Sequence, residues 1–147
     1  MKVALDTNIL AYAEGVNGLA RKKAALDILE RLPVGSVLVP VQALGELFNL
    51  LVRKAGRTPR DARATVIHWR NAFAVIDTSS DVLLAASDLA MKQFSIWDAV
   101  MVCAAAEGDC RLLLSEDMQD GFVFGGVTIV NPFARPVHAL LKALLGA

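Results

Sequence analysis

Four acids carry the chemical content of this sequence: Asp6, Glu46, Asp98 and Asp117. Asp6 ends the apolar run Val3-Ala4-Leu5, and Glu46 lies among Leu44, Leu47, Phe48, Leu50 and Leu51. Asp98 follows Ser95-Ile96-Trp97, and Asp117 sits in the polar stretch from Ser115 to Gly121. Each has an ordinary structural explanation. Asp6 suits an Asx-type helix cap, Asp98 the S-x-x-D spacing of a capping box, Asp117 a polar loop, and Glu46 the solvated side of a helix. If Glu46 is buried instead, it must be paired, neutralised or bound to a metal.

The elements that would position these acids follow from hydrophobic pattern and punctuation. Lys2 to Leu5 reads as a strand leading into a helix from Ile9. A helix from Leu19 to Leu32 stops at Pro33 and Gly35, and Val37 to Val39 is a β-branched strand ended by Pro40. Helices over Val41 to Lys54 and from Pro59 to Phe73 follow, with Pro59 at a first helical position. Ala74 to Ile76 reads as a strand, then Asp81 to Phe94 and Trp97 to Glu107 as helices. Arg111 to Leu114 and Val127 to Val130 complete the strands. Residues 135–147 carry Val137, Leu140, Leu141, Leu144 and Leu145 at amphipathic helical spacing. Strands alternating with long helices predict a three-layer α/β fold around a central, mostly parallel sheet, in one domain over residues 1–147.

In such a sheet ligands bind beyond the carboxyl ends of the strands. Asp6 and Asp117 follow predicted strands, Glu46 comes within two helical turns of another, and Asp98 opens a helix, so the four can converge there. Carboxylates ~5 Å apart at an effective dielectric of about 20 repel by about 3 kcal/mol per pair, on the order of 20 kcal/mol for all pairs. A converged cluster must therefore take up protons or a cation. Oxygen-only ligands suit Mg2+ or Mn2+, and neither His68 nor His138 stands at metal-ligand spacing from another His or Cys. With no nucleophile, general-base histidine or glycine loop beside them, such acids point to metal-activated water attacking a phosphodiester.

Composition narrows the classes further. The chain has 147 residues, 15 basic and 15 acidic, giving a net charge of zero that excludes a basic, non-specific nucleic-acid binder. Apolar residues make up 55%, which excludes intrinsic disorder. Cys103 and Cys110 form no C-x-x-C pattern and read as buried small hydrophobes in a reduced compartment. The N-terminus lacks a signal-peptide layout and no apolar run approaches ~18 residues. The expected location is the cytoplasm, with no membrane association.

Asp6-Thr7-Asn8-Ile9-Leu10, the Glu46 helix, Ser95-Ile96-Trp97-Asp98-Ala99-Val100, Leu114-Ser115-Glu116-Asp117-Met118-Gln119-Asp120-Gly121 and Ile129-Val130-Asn131-Pro132-Phe133 together resemble a PIN-domain nuclease. The closer resemblance is to VapC-type toxins of bacterial toxin-antitoxin pairs, over residues 1–133. It implies a PIN-like fold and a Mg2+-dependent endoribonuclease, Mn2+ being the alternative ion. The catalytic and metal-binding acids would be Asp6, Glu46, Asp98 and Asp117, with Asn8 and Ser115 as supporting polar residues. Asp120 stands where a further ligand is possible, followed by Gly121 instead of the aromatic often found there. The resemblance also implies a homodimer and a small antitoxin protein whose C-terminal segment would lie in a groove between the Glu46 helix and the helix carrying Leu26 and Leu29.

Arg53, Lys54, Arg57, Arg60 and Arg63 fall within eleven positions, a patch that could hold an RNA backbone or simply be a solvated helix face. We take Arg53, Arg57 and Arg60 as the candidate substrate contacts. Trp97 beside Asp98 could stack on a base, although a Trp in so apolar a setting is more often core; Trp69 and Tyr12 are weaker candidates. Two other classes stay open. A catalytically silent PIN-like module would bind protein or RNA only. A haloacid-dehalogenase-like phosphatase would need an acid at position 8, where Asn8 stands, and a lysine near the later acids, yet none lies between Lys92 and Lys142.

Overall fold

The computed structural model describes residues 1–146. The elements run β1 (Val3–Leu5), α1 (Thr7–Ala13), α2 (Leu19–Arg31), β2 (Val37–Pro40), α3 (Val41–Arg53), α4 (Pro59–Ala72), β3 (Ala74–Ile76), α5 (Ser80–Ala90), α6 (Ile96–Glu107), β4 (Leu112–Leu114), β5 (Val123–Phe124), β6 (Val127–Val130) and α7 (Ala139–Leu144). The six strands form one sheet in the order β3-β2-β1-β4-β6-β5. Every pairing is parallel except β5 with β6.

This order explains the layers. The chain steps from β1 to β2 to β3 in one direction through α1 to α4, then returns through α5 and α6 to β4 on the far side of β1. Parallel crossovers are right-handed, so reversing the direction moves the connecting helices to the other face of the sheet. The packing agrees: α1 packs on α2 and α3, and α3 on α4, while α5 packs on α6, which lies against β2, β3, β4 and β6. The result is the expected three-layer α/β architecture. Its strands are buried on both faces and read as continuous apolar runs, Val3-Ala4-Leu5 and Leu112-Leu113-Leu114 being fully inaccessible.

Local chemistry fixes the helix starts. Thr58, Ser79 and Ser95 each accept a backbone N–H three residues on, at 3.1 Å, 3.1 Å and 3.2 Å, and Pro59 occupies the first turn of α4. Cys103 and Cys110 are buried free thiols, and burial pushes the Cys110 thiol up to about 11. Among the described residues no helix is long and apolar enough to cross a membrane.

Three boundaries depart from the sequence pattern. Helix α5 ends at Ala90 rather than Phe94. There the chain tightens, Met91 N–H donating to Asp88 and Lys92 N–H to Leu89, and Phe94 turns to pack edge-on against Phe122 with ring centres 4.9 Å apart. The tail helix is only Ala139–Leu144, because Pro136 supplies no N–H and the His138 imidazole caps the Leu140 N–H. Ala147, the last residue of the expected tail helix, lies outside the described residues. Finally, β5 is a strand in what reads as loop. Gly125 and Gly126, both at positive φ (56° and 82°), make the tight hairpin that returns it antiparallel to β6.

Candidate active site

Connections from β1 and β4 leave in opposite directions, so the crevice beyond their carboxyl ends is the topological switch point of the sheet. Leu5 pairs with Leu114, which brings the two following residues, Asp6 and Ser115, side by side. Asp6 N–H donates to the Leu114 carbonyl at 2.9 Å, and the Ser115 hydroxyl donates to Asp6 Oδ2 at 2.7 Å. The other Asp6 oxygen accepts the Thr7 N–H at 2.8 Å, capping α1. Asp6 is thus helix cap and cavity wall at once. It is 7% exposed, and burial, opposed by its hydrogen bonds to Ser115 and Thr7 but reinforced by Asp98 and Glu46, pushes its carboxyl from the ordinary 3.8 up to about 6.

A cavity of about 320 Å³ opens here, lined by Asp6, Thr7, Asn8, Glu46, Asn49, Leu50, Asp98 and Asp117. All four sequence-predicted acids therefore face one space, and no cationic side chain is among its lining residues. Glu46 reaches it from the second turn of α3. It is solvent-exposed, not the buried acid that its apolar neighbours suggest, because Leu44, Leu47 and Leu51 form the buried stripe and Glu46 falls off it. Thr7 Oγ1 donates to Glu46 Oε2 at 2.7 Å and Gln42 Nε2 to Oε1 at 2.6 Å. Asp98, half-buried in the first turn of α6, is pushed up by burial and by the charges of Glu46 and Asp117. Asp117 accepts a hydrogen bond from the Asn8 amide.

The loop after β4 is held at three consecutive residues. Ser115 binds Asp6, and Asp117 binds Asn8. Between them Glu116 accepts the Tyr12 hydroxyl at 2.6 Å and pairs with Arg21, whose guanidinium lies over the Tyr12 ring at 5.1 Å and the Phe133 ring at 5.9 Å. Thr7, Gln42, Asn49 and the Arg21–Glu116 pair are contributions that sequence reasoning missed. The i, i+4 spacing of Gln42 and Glu46 on one helix was the available signal for the second.

Other expectations divide. Asn8 contacts Asp117 and Ser115 contacts Asp6. Asp120 does not line the cavity; its Oδ1 accepts the Asn131 N–H at 2.8 Å and ties the loop to the end of β6. Arg57 is not free for substrate, since its guanidinium donates to the Glu14 carboxylate at 3.1 Å, the Glu14 carbonyl at 2.9 Å and Thr65 at 2.9 Å. Arg53 and Arg60 are exposed and lie outside the cavity lining. Leu29 opens into a separate space of about 290 Å³ with Val37 and Ala74, at the opposite ends of the strands, so it shares no cavity with Glu46. Trp69 is buried and donates to Glu14 at 2.9 Å, Tyr12 is buried, and Trp97 is 59% exposed, not core.

The donor set matches a hard divalent cation: four carboxylates, all oxygen, around one space without a counter-charge. Their spacing is looser than a ligand shell. Among the described residues no three His, Cys, Asp or Glu side chains are drawn together closely enough to grip an ion. Hydrogen bonds hold Glu46 back toward Thr7 and Gln42, and Asp117 toward Asn8. The lining also lacks a lysine, and position 8 is an amide, which removes the phospho-aspartate chemistry of the phosphatase alternative.

A mostly parallel three-layer fold with acids gathered at its switch point defines a class of α/β domain, and sequence comparison identifies which. The chain belongs to the PIN domain family, whose profile matches residues 3–119. A search among curated proteins gives no match. Among solved structures, VapC20 of Mycobacterium tuberculosis, a sarcin-ricin loop cleaving toxin, superposes with a TM-score of 0.67 at 21% identity, over 79% of this chain and 90% of that one. A toxin-antitoxin complex from Klebsiella pneumoniae gives 0.67 at 20% identity, over 90% and 98%. FitAcB from Neisseria gonorrhoeae gives 0.59 at 15% identity, over 89% and 98%. At these identities the likeness is one of fold.

Proposed function

We propose that this chain is a metal-dependent endoribonuclease acting as the toxin of a toxin-antitoxin pair. The observation that carries the reading is the convergence of Asp6, Glu46, Asp98 and Asp117 on one cavity, lined by no cationic side chain, at the sheet's switch point. Membership of the PIN family and the toxin folds it resembles support the same assignment.

The four acids would hold Mg2+, or Mn2+ in its place. The ion, when bound, supplies activation of water and charge neutralisation at a phosphodiester. The protein's own contribution is orientation. Ser115 and the Thr7 N–H fix both oxygens of Asp6, Thr7 and Gln42 fix both oxygens of Glu46, and Asn8 fixes Asp117. Burial is the main cause of the raised Asp6 and Asp98 carboxyls, with the neighbouring acids adding to it.

The test is cleavage of a panel of structured cellular RNAs with Mg2+, Mn2+ or EDTA. Cleavage is expected only with metal. In parallel, metal at about a hundredfold above its Kd should raise the melting temperature by about 5 °C or more, and Asp98→Asn should blunt that rise. Absence of both cleavage and a thermal response at millimolar metal would defeat the reading. The silent-module alternative has one observation in its favour, the open spacing of the acids, and RNA binding without cleavage under any metal would establish it.

The same reading includes two protein partners. Leu83 and Leu84 on α5 are exposed apolar side chains suited to a second copy of the chain. An antitoxin would bring an arginine fork to the exposed carboxylates of Glu46 and Asp117. Sedimentation velocity of the chain alone should give twice its 15.7 kDa mass. Co-expression with the product of the adjacent small reading frame should give a larger complex that no longer cleaves RNA. A stable monomer at micromolar concentration would remove the dimer.

A further inference from the structure

Trp97 stands in the first turn of α6, next to Asp98 on the cavity wall. Its backbone carbonyl accepts Gln42 Nε2 at 3.1 Å, and the same amide nitrogen donates to Glu46 at 2.6 Å. One side chain therefore ties the Trp97 backbone to Glu46 and holds it beside the acids. Every Phe, the single Tyr and Trp69 are buried or half-buried, which leaves Trp97 the sole exposed ring among the Phe, Tyr and Trp side chains of the described residues. An aromatic ring left in water at the edge of a polar site is free to stack on a ligand.

The charge of the cavity says what kind of contact. Its lining holds four carboxylates and no cation, Arg57 is turned inward to Glu14, and Arg53 and Arg60 are not part of the wall. A nucleic-acid strand brought to this wall finds no cationic side chain to pair with its phosphates and needs a further hold that does not depend on charge. Stacking of a base on an indole supplies it, at equal strength beside acids or bases. Unpaired bases, which can be splayed from their neighbours, are the form in which RNA offers a free ring face.

We infer that Trp97 is the platform of a nucleobase subsite, taking an unpaired base flanking the phosphodiester at the acids. This rests on the nuclease reading of the same cavity, and the experiment separates the two.

The side chain is exposed and its backbone hydrogen bond survives substitution, so Trp97→Ala should fold. Binding is measured on the Asp6→Asn background, which leaves the strand intact, with a ten-nucleotide single strand, its abasic counterpart and its duplex as probes. Base-bearing single strand should quench the tryptophan emission of the parent, and Trp97→Phe, which retains only buried Trp69, should lose that response. Trp97→Ala should weaken binding of the base-bearing strand by about 5- to 100-fold, with Trp97→Phe in between and the abasic strand indifferent to all three. In otherwise unaltered protein Trp97→Ala should raise KM more than it lowers kcat.

Equal affinity of parent and Trp97→Ala for the base-bearing strand, or no binding of any strand, overturns the subsite. So does emission that shifts with protein concentration but ignores RNA, since Trp97 would then belong to an interface between copies. If Trp97→Ala cleaves with unchanged KM, the subsite fails and the nuclease stands. If the base-dependent quench occurs but no metal supports cleavage, the subsite stands and the nuclease fails.

Discussion

Replacing Asp6 with asparagine should abolish RNA cleavage and, at neutral pH without metal, make the protein more stable. The two effects share one cause. Burial holds the folded carboxyl near 6 against 3.8 when unfolded, so between those values the folded state binds the extra proton. Stability contributed by this group is therefore full below about pH 4, falls as pH rises to about 6, and stays reduced above it. The penalty corresponds to about 3 kcal/mol at pH 7.5. Asparagine keeps the acceptor for the Thr7 N–H, offers its amide to Ser115 Oγ, and carries no charge. Thermal melts across pH 3 to 8 should show the wild type declining through that window more steeply than the variant, with the variant more stable at pH 7.5. A variant less stable than wild type at pH 7.5 would refute the account. This is the signature of a site kept at the expense of the fold.

The second large effect lies away from the acids. Glu14 caps the end of α1 and gathers the loop between α3 and α4, its carboxylate accepting both Arg57 at 3.1 Å and Trp69 Nε1 at 2.9 Å. Glu14→Ala leaves a half-buried guanidinium without its anion and a buried indole N–H without an acceptor. Each orphaned group carries its own desolvation penalty, and we expect a loss of about 2 to 4 kcal/mol in urea unfolding. Adding Trp69→Phe should cost less on the Glu14→Ala background than on wild type, because the N–H has already lost its partner. A loss below about 1 kcal/mol, or strict additivity, would mean that Glu14 is merely a surface ion pair.

How much of this was legible in the sequence depends on the range of the interaction. Strands β1, β2, β4 and β6 announce themselves because sheets covered on both faces read as unbroken apolar runs. Asp6, Asp98 and Asp117 are visible as acids at the ends of such runs or at helix starts. Glu46 is found for an imperfect reason, since its neighbours suggest burial while the helix turns it to the cavity. Arg57 misleads because a run of bases looks like one patch, and only the folded chain shows Glu14 claiming one of them. Trp97 reverses the usual placing of tryptophan, which depends on where α6 begins relative to α3. The two-residue strand β5 carries too little pattern of its own; the Gly125-Gly126 pair between Phe124 and Val127 was its only local signal.

The pairing of Leu5 with Leu114 has a consequence for the order of events during synthesis. Asp6 is made well before its serine partner and the fourth acid, which come more than a hundred residues later in the chain. At ribosomal rates of about 5 to 20 residues per second, Asp6 waits on the order of ten seconds for them. Strand β4 cannot take its place until both β1 and the helices that carry the chain back across the sheet have formed. A ribosome-bound fragment therefore holds Asp6, Glu46 and even Asp98 without a complete site. Truncation anywhere before β4 gives an inert chain, and whatever activity the protein has begins only after β4 has been made.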